Sequence, residues 1–76
     1  MFHHRLARLF KKETGKTVVE HLHLLRLTRA KELLATTDQG LLEVALESGF
    51  PTIEHFHRLF RRSVGLTPRA YRLSAR

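Results

Sequence analysis

Charged and histidine side chains recur at helical spacing near the C-terminus of the chain. Glu54, His57, Arg58 and Arg61 lie at positions i, i+3, i+4 and i+7, which places them on one face of a helix. Arginine is the commonest bidentate donor to guanine, and a carboxylate accepts a hydrogen bond from cytosine. A second role for Glu54 is about as well supported: its negative charge would only interact favourably with the positive end of the helix dipole at a nearby helix N-terminus. The spacing predicts a surface that reads DNA base edges, here called the second reading face.

The same pattern occurs fifty residues earlier in the chain. Residues 8–12 (RLFKK) match residues 58–62 (RLFRR), and residues 15–17 (GKT) match residues 65–67 (GLT). This internal repeat predicts a first reading face as well, formed by His4, Ala7, Arg8 and Lys11. The simpler alternative is that both faces are only solvated cationic surfaces.

We divide the candidate interface residues into two groups, because phosphate contacts position a protein whereas base contacts specify sequence. The residues predicted to read bases are His4, Ala7, Arg8, Ile53, Glu54, His57 and Arg58. The residues predicted to contact phosphates are Arg5, Lys11, Lys12, Lys16, Arg61 and Arg62.

The six histidines do not have the spacing of a metal site. Two of them are adjacent near the N-terminus. The other four form two pairs, His21 with His23 and His55 with His57, and one residue separates the members of each pair. Residues two apart on a helix point in different directions and cannot chelate one ion. The chain also has no nucleophile–base arrangement and no glycine-rich phosphate loop. We therefore expect no metal, no cofactor and no enzymatic activity.

Composition favours a polyanionic partner. The 76 residues include 14 lysines and arginines against 7 acidic residues, a formal net charge of +7. Such a charge suits nucleic acid or an anionic membrane surface. There is no cysteine, the N-terminus does not resemble a secretory signal, and no apolar run reaches about 18 residues. We expect one small cytoplasmic domain with no membrane span.

Local signals predict the helices that must hold the two faces. In residues 41–60, Gly49 is suited to a tight turn between two helices, and Thr52 is suited to cap the second one. Residues 17–36 form the longest predicted helix, with Thr17 and Glu20 as a capping box. Pro68 suits the start of a last helix, whose Tyr71 and Leu73 are expected to close the core. The predicted divisions are a recognition helix in residues 1–16, a linker helix in 17–36 and a complete helix-turn-helix unit with closing helix in 41–74.

Three segments carry a family resemblance: residues 45–50 (ALESGF), 55–62 (HFHRLFRR) and 65–72 (GLTPRAYR). They resemble the DNA-binding domain of the AraC/XylS family of bacterial transcription regulators. The matched residues are Val44, Ala45, Gly49, Phe50, Phe56, Arg58, Phe60, Arg61, Gly65, Thr67, Pro68, Tyr71 and Arg72.

The resemblance implies an all-α fold and sequence-specific binding of double-stranded DNA for transcription regulation, with recognition helices in the major groove. The family has two helix-turn-helix units joined by a long helix. This sequence starts close to the first recognition helix, so we expect one and a half units in about five helices. His21 stands where the family has an aromatic residue. The family's effector domain has no counterpart here, so we expect no effector ligand on this chain.

Leu42 and Leu46 lie off the predicted inward face of their helix. The simpler interpretation is that they border the final helix. The alternative is a docking patch for RNA polymerase or for the remainder of the first unit.

The rival functional hypothesis is a cationic amphipathic chain that binds RNA or anionic membranes without specificity. A second rival is a non-functional remnant of a longer regulator. Capping and turn residues between the predicted helices favour a packed domain, because a membrane-active peptide needs no such boundaries. These residues are Thr17, Gly40, Gly49, Thr52, Gly65 and Pro68.

Overall fold

The computed structural model describes the backbone of residues 2–76 and the side chains from Leu6 onward. This part of the chain is helical with short connections and contains no strand, which confirms the all-α prediction. The helices are α1 (Phe2–Thr14), α2 (Val18–Thr36), α3 (Leu41–Glu47), α4 (Ile53–Val64) and α5 (Pro68–Ala75). No helix within residues 2–76 is long and apolar enough to cross a bilayer.

Threonine hydroxyls fix the starts of three helices. The Oγ1 atoms of Thr17, Thr52 and Thr67 accept hydrogen bonds from backbone amides three residues later, at 3.0, 3.0 and 3.1 Å. Each bond satisfies an amide that has no partner inside its helix. Pro68 takes the first position of α5, as predicted.

The closed core belongs to the second half of the molecule. Its fully buried side chains come from the C-terminal half of α2, from α3, from the following turn and from α4. They include Leu34, Val44, Ala45, Phe56 and Phe60, each with no exposed surface. The small side chain of Ala45 lets the crossing helices approach closely. These residues hold α3, α4 and the end of α2 as one packed unit, called the second unit here.

The closing helix only partly follows the prediction. Tyr71 packs against the core, with its ring centroid 5.6 Å from that of Phe60. Leu73 remains 72% exposed, so its predicted role in sealing the core is wrong. Residues two apart on a helix are about 200° apart, so Leu73 faces solvent when Tyr71 faces the core.

Two arginines, Arg72 in α5 and Arg76 directly after it, attach this helix to the end of α2 and the residues that follow. Arg72 Nε donates a hydrogen bond to the carbonyl of Leu34 at 3.1 Å, which satisfies an acceptor in the last turn of α2. Arg76 Nη1 contacts Asp38 Oδ1 at 2.6 Å, and its other terminal nitrogen donates to the carbonyl of Thr37. The hydrogen bond and the charge of Arg76 lower the pKa of the Asp38 carboxyl below its ordinary value of 3.8.

The first half of the molecule is open by comparison. Leu6 and Leu9 of α1 are 54% and 49% exposed, and Leu22 and Leu25 of α2 also remain exposed. The ring of Phe10 packs edge-on against His21, with centroids 5.2 Å apart. His21, which stands where the family has an aromatic residue, thus packs through its ring, while the apolar surface around it stays largely uncovered. We call α1 together with the N-terminal half of α2 the first unit.

Candidate nucleic-acid interface

The residues assigned to the second reading face lie together on the exposed side of α4. Glu54, His57, Arg58 and Arg61 are all exposed, and the opposite side of the helix carries the fully buried Phe56 and Phe60. One helix therefore anchors itself in the core and offers hydrogen-bonding groups of both charges to solvent. Arg62 is exposed beside this face.

Ile53 occupies a different environment from the other predicted base-reading residues. It is partly buried and packs against the core at the first position of α4. Part of its side chain is therefore committed to the second unit. Only the remainder is available to an external partner.

Aromatic packing holds α4 in place from both ends. The ring centroids of Phe50 and Phe56 lie 5.1 Å apart, and those of Phe56 and Phe60 lie 5.6 Å apart. Tyr71 of α5 continues this series on the far side of Phe60. Edge-to-face aromatic contacts contribute beyond their buried area, so this row fixes the orientation of the second reading face.

A residue of the distant linker helix lies close to the turn before α4. Gly49 has φ +95°, a conformation that side chains with a Cβ rarely adopt. A Cβ at this position would also lie only 3.2 Å from Nε of Arg26. Arg26 therefore lies directly over the turn. No pattern in the sequence indicated this contact.

The first reading face is exposed along the described part of α1. Ala7, Arg8, Lys11 and Lys12 all face solvent, as does Lys16 after the helix. The predicted side-chain roles of His4 and Arg5 fall outside the described side chains.

The repeat seen in the sequence is also present in the geometry. Gly15 and Gly65 both take left-handed conformations, with φ +76° and +88°, after α1 and α4. Thr17 and Thr67 then cap the next helices in the same way. The Phe10–His21 ring pair corresponds to the Phe60–Tyr71 pair fifty residues later. Both reading faces therefore belong to the same local structure, a helix followed by a glycine, a threonine cap and a second helix.

Ion pairs leave the two faces free within the described residues. The pairs found there join Arg29 to Glu32 and Arg76 to Asp38, away from both faces. From Leu6 to Arg76, no group of three histidine, cysteine or acidic side chains is arranged to hold a metal ion. The cations of α4 and those of α1 from Arg8 onward are thus available to an anionic partner.

Comparison with known proteins agrees with this geometry. A family model described as a helix-turn-helix domain matches residues 1–74. The crystal structure of an AraC-type DNA-binding-domain regulator from Chromobacterium violaceum superposes with a TM-score of 0.88 at 33% identity, over 95% of this chain and 64% of that one. The chain belongs to the AraC-type helix-turn-helix family.

Other members of the AraC-type family are transcription regulators by name. This AraC-type chain is 35% identical over 69 residues to the xylose operon regulatory protein of Haemophilus influenzae, covering 91% of this chain and 18% of that protein. It is 40% identical over 67 residues to the transcriptional activator RhaS of Escherichia fergusonii, and the match covers 88% of this chain and 24% of that protein. The chain thus spans about a fifth of the length of these relatives.

The AraC-type family also includes a relative solved with DNA. The DNA-binding domain of the global transcriptional factor AdpA, in complex with a target DNA, matches with a TM-score of 0.90 at 34% identity. The match covers 93% of this chain and 64% of that one.

Proposed function

We propose that this chain is a sequence-specific binding module for double-stranded DNA that acts in transcription control. The observation that carries the proposal is α4, whose charged face is exposed while Phe56 and Phe60 on its other side are fully buried. A helix held in this way is suited to enter the major groove as a rigid body. The family relationship and the DNA complex of AdpA support the proposal.

In this proposal the two groups of side chains have different tasks. His57 and Arg58 of α4, with Ala7 and Arg8 of α1, contact base edges, and His4 extends that surface. Glu54 either accepts from a cytosine amino group or stabilises the start of α4. The exposed part of Ile53 is suited to the methyl group of thymine. Arg61, Arg62, Lys11, Lys12, Lys16 and Arg5 contact phosphates.

Selection of bound sequences from a random duplex pool tests the proposal directly. We expect a defined motif to be enriched, because α4 presents fixed hydrogen-bonding groups. A pool that binds but shows no enriched motif would reduce the function to general affinity for nucleic acid. In that case the rival hypothesis of a non-specific cationic binder would be the better one.

The dependence of affinity on salt tests the phosphate contacts. Six contacts would give a slope of about −5 in a plot of log affinity against log salt, because each contact releases bound counterions from the DNA. A slope near zero on duplex DNA would exclude these contacts.

The packed core argues against the rival of an amphipathic membrane peptide. Nine apolar residues from Leu27 to Phe60 are buried inside the second unit, so these side chains are not available to lipid. A DNA-binding role would place the chain in the bacterial cytoplasm.

RNA polymerase is the second partner that we propose. Leu42 and Leu46 of α3 are 53% and 57% exposed and lie one helical turn apart, so they form a small apolar patch on the surface of α3. Replacing both with alanine should reduce transcription by purified bacterial RNA polymerase from a promoter bearing the selected motif, while leaving DNA affinity unchanged. Unchanged transcription would show that the two leucines serve no such contact.

A further inference from the structure

Two histidines from distant parts of the chain meet between α2 and α4. The rings of His23 and His55 are 6.0 Å apart, centroid to centroid, and nearly perpendicular at 80°. His55 also contacts Phe50 edge-on at 5.8 Å, and Phe50 leads through Phe56 into the core. A continuous row of rings therefore runs from the linker helix into the helix that carries the second reading face.

The surroundings of His23 make this contact important for the angle between the two helices. A cleft of about 300 Å³ opens between α2 and α4, lined by Leu24 and Leu27 on one side and by Leu59 and Ser63 on the other. His23 lies at the wall of this cleft. Because the cleft separates the N-terminal half of α2 from α4, the ring pair bridges the two helices beyond the core residue Leu27, where they are not packed closely together.

Each member of the pair belongs to a different unit. His23 is in the N-terminal half of α2, the half that contacts α1 through His21. His55 is in the first turn of α4, and its backbone amide donates to the Thr52 cap. A rotation of the N-terminal half of α2 relative to α4 would therefore alter the contact between these two rings, and α1, which packs on that half of α2, would move with it.

We infer that His23 and His55 are positioning residues that fix the orientation of the first reading face relative to the second. The inference rests on the proposed function, since it assumes that both faces meet DNA. Its consequence is a preferred spacing between the two sets of base pairs that are read. One added base pair shifts the second set by about 3.4 Å and rotates it by about 35° relative to the first. A rigid junction rejects that shift, and a loose junction tolerates it.

The test compares duplexes that carry the selected motif with duplexes in which one base pair is inserted or deleted between its two halves. The full chain should prefer the selected spacing by about tenfold or more, comparable with the effect of one mismatched base pair. His23→Gln removes the ring but keeps a long side chain compatible with a helix. It should reduce that preference to about twofold while changing affinity for the selected spacing by less than about threefold.

Two further variants separate positioning from a general effect on folding. His23→Phe keeps an aromatic ring and should therefore retain the spacing preference that His23→Gln loses. Val19→Ala is the matched control, because Val19 lies on the same helix and is 59% exposed; it should leave the preference unchanged. A thermal melt of each variant, followed by circular dichroism, identifies any loss of fold.

The outcomes distinguish this inference from the proposed function. If His23→Gln keeps the full spacing preference, the histidine pair does not set the junction. If the unaltered chain binds its motif but ignores spacing, the inference is again overturned and sequence-specific binding stands. If no motif is enriched in the first place, it is the proposed function that fails.

Discussion

The repeated helices α1 and α4 have similar sequences but different surroundings. Leu6 and Leu9 of α1 are 54% and 49% exposed, whereas Phe56, the counterpart of Leu6, is fully buried. The difference follows from the neighbours of each helix, because α4 lies against both α3 and α5 while α1 lies against α2. A shared sequence pattern thus produces the same local structure with very different amounts of support.

This contrast implies an unequal contribution to recognition. A reading face that is held rigidly loses less conformational freedom on binding than one that is loosely held. The second reading face is supported by the ring row of α4 and by the closing helix α5. We therefore expect the second unit to dominate the choice of DNA sequence.

The largest expected effect is a difference in how much an alanine substitution in each unit lowers the free energy of unfolding. Phe56→Ala removes a fully buried ring and should lower the free energy of unfolding by about 3–5 kcal/mol. Leu6→Ala, at the equivalent position of the repeat, should lower it by less than about 1 kcal/mol, since more than half of that side chain is already exposed. Urea denaturation followed by circular dichroism measures both. Equal losses would show that α1 is as firmly packed as α4.

Amide hydrogen exchange tests the same contrast without substitutions. Backbone amides of residues 2–14 should exchange faster than those of residues 41–64, by about tenfold or more, because local opening of α1 exposes little additional apolar surface. Mass spectrometry of the exchanged protein resolves the two segments. Comparable protection in both would mean that α1 opens only when the whole domain unfolds.

Arginine substitutions extend the comparison to DNA binding. Arg58→Ala should weaken binding to the preferred duplex by about 1–3 kcal/mol and relax one or two base positions, because it removes a candidate bidentate base contact. Arg8→Ala should have a smaller effect of the same kind, since its helix is less firmly held.

Arg62→Ala is the matched control for these two variants, because Arg62 lies on the flank of α4 and is expected to meet phosphate. It should weaken binding to preferred and scrambled duplexes about equally. Competition binding with both duplexes measures the three variants. If Arg58→Ala reduces both affinities by the same factor, Arg58 contacts phosphate and the assignment of the second reading face is wrong.

The smallest expected effect concerns the attachment of α5 to the end of α2. Because Arg76 lowers the pKa of Asp38 in the folded protein, the pair stabilises the fold above the ordinary carboxyl pKa of 3.8. That contribution is lost as the pH falls from this value through the lower pKa of the folded state. Asp38→Asn should remove this part of the acid dependence in thermal melts recorded between about pH 5 and pH 2. An identical acid profile for the variant would show that the exposed pair contributes nothing measurable.

The exposure of some residues of the candidate site could be predicted from local sequence, and the exposure of others could not. The spacing of Glu54, His57 and Arg58 was sufficient to put them on one exposed face, because helical periodicity is a local property. The partial burial of Ile53 was not predictable in the same way, since it depends on what packs beside the first turn of α4. Leu73 was assigned to the core wrongly for a similar reason: apolar character alone did not show which side of α5 faces inward.

The sequence by itself determined the helices, their boundaries and the repeat. Threonine caps, left-handed glycines and apolar periodicity act over three or four residues, so they are visible in any short segment. Only the tertiary structure decided which apolar faces are covered and which distant side chains meet. One such contact places Arg26 over Gly49, and these residues are 23 positions apart in the chain. Another places His23 against His55, which are 32 positions apart. Such contacts depend on how α2 crosses the second unit, and no local pattern in the sequence encodes that crossing.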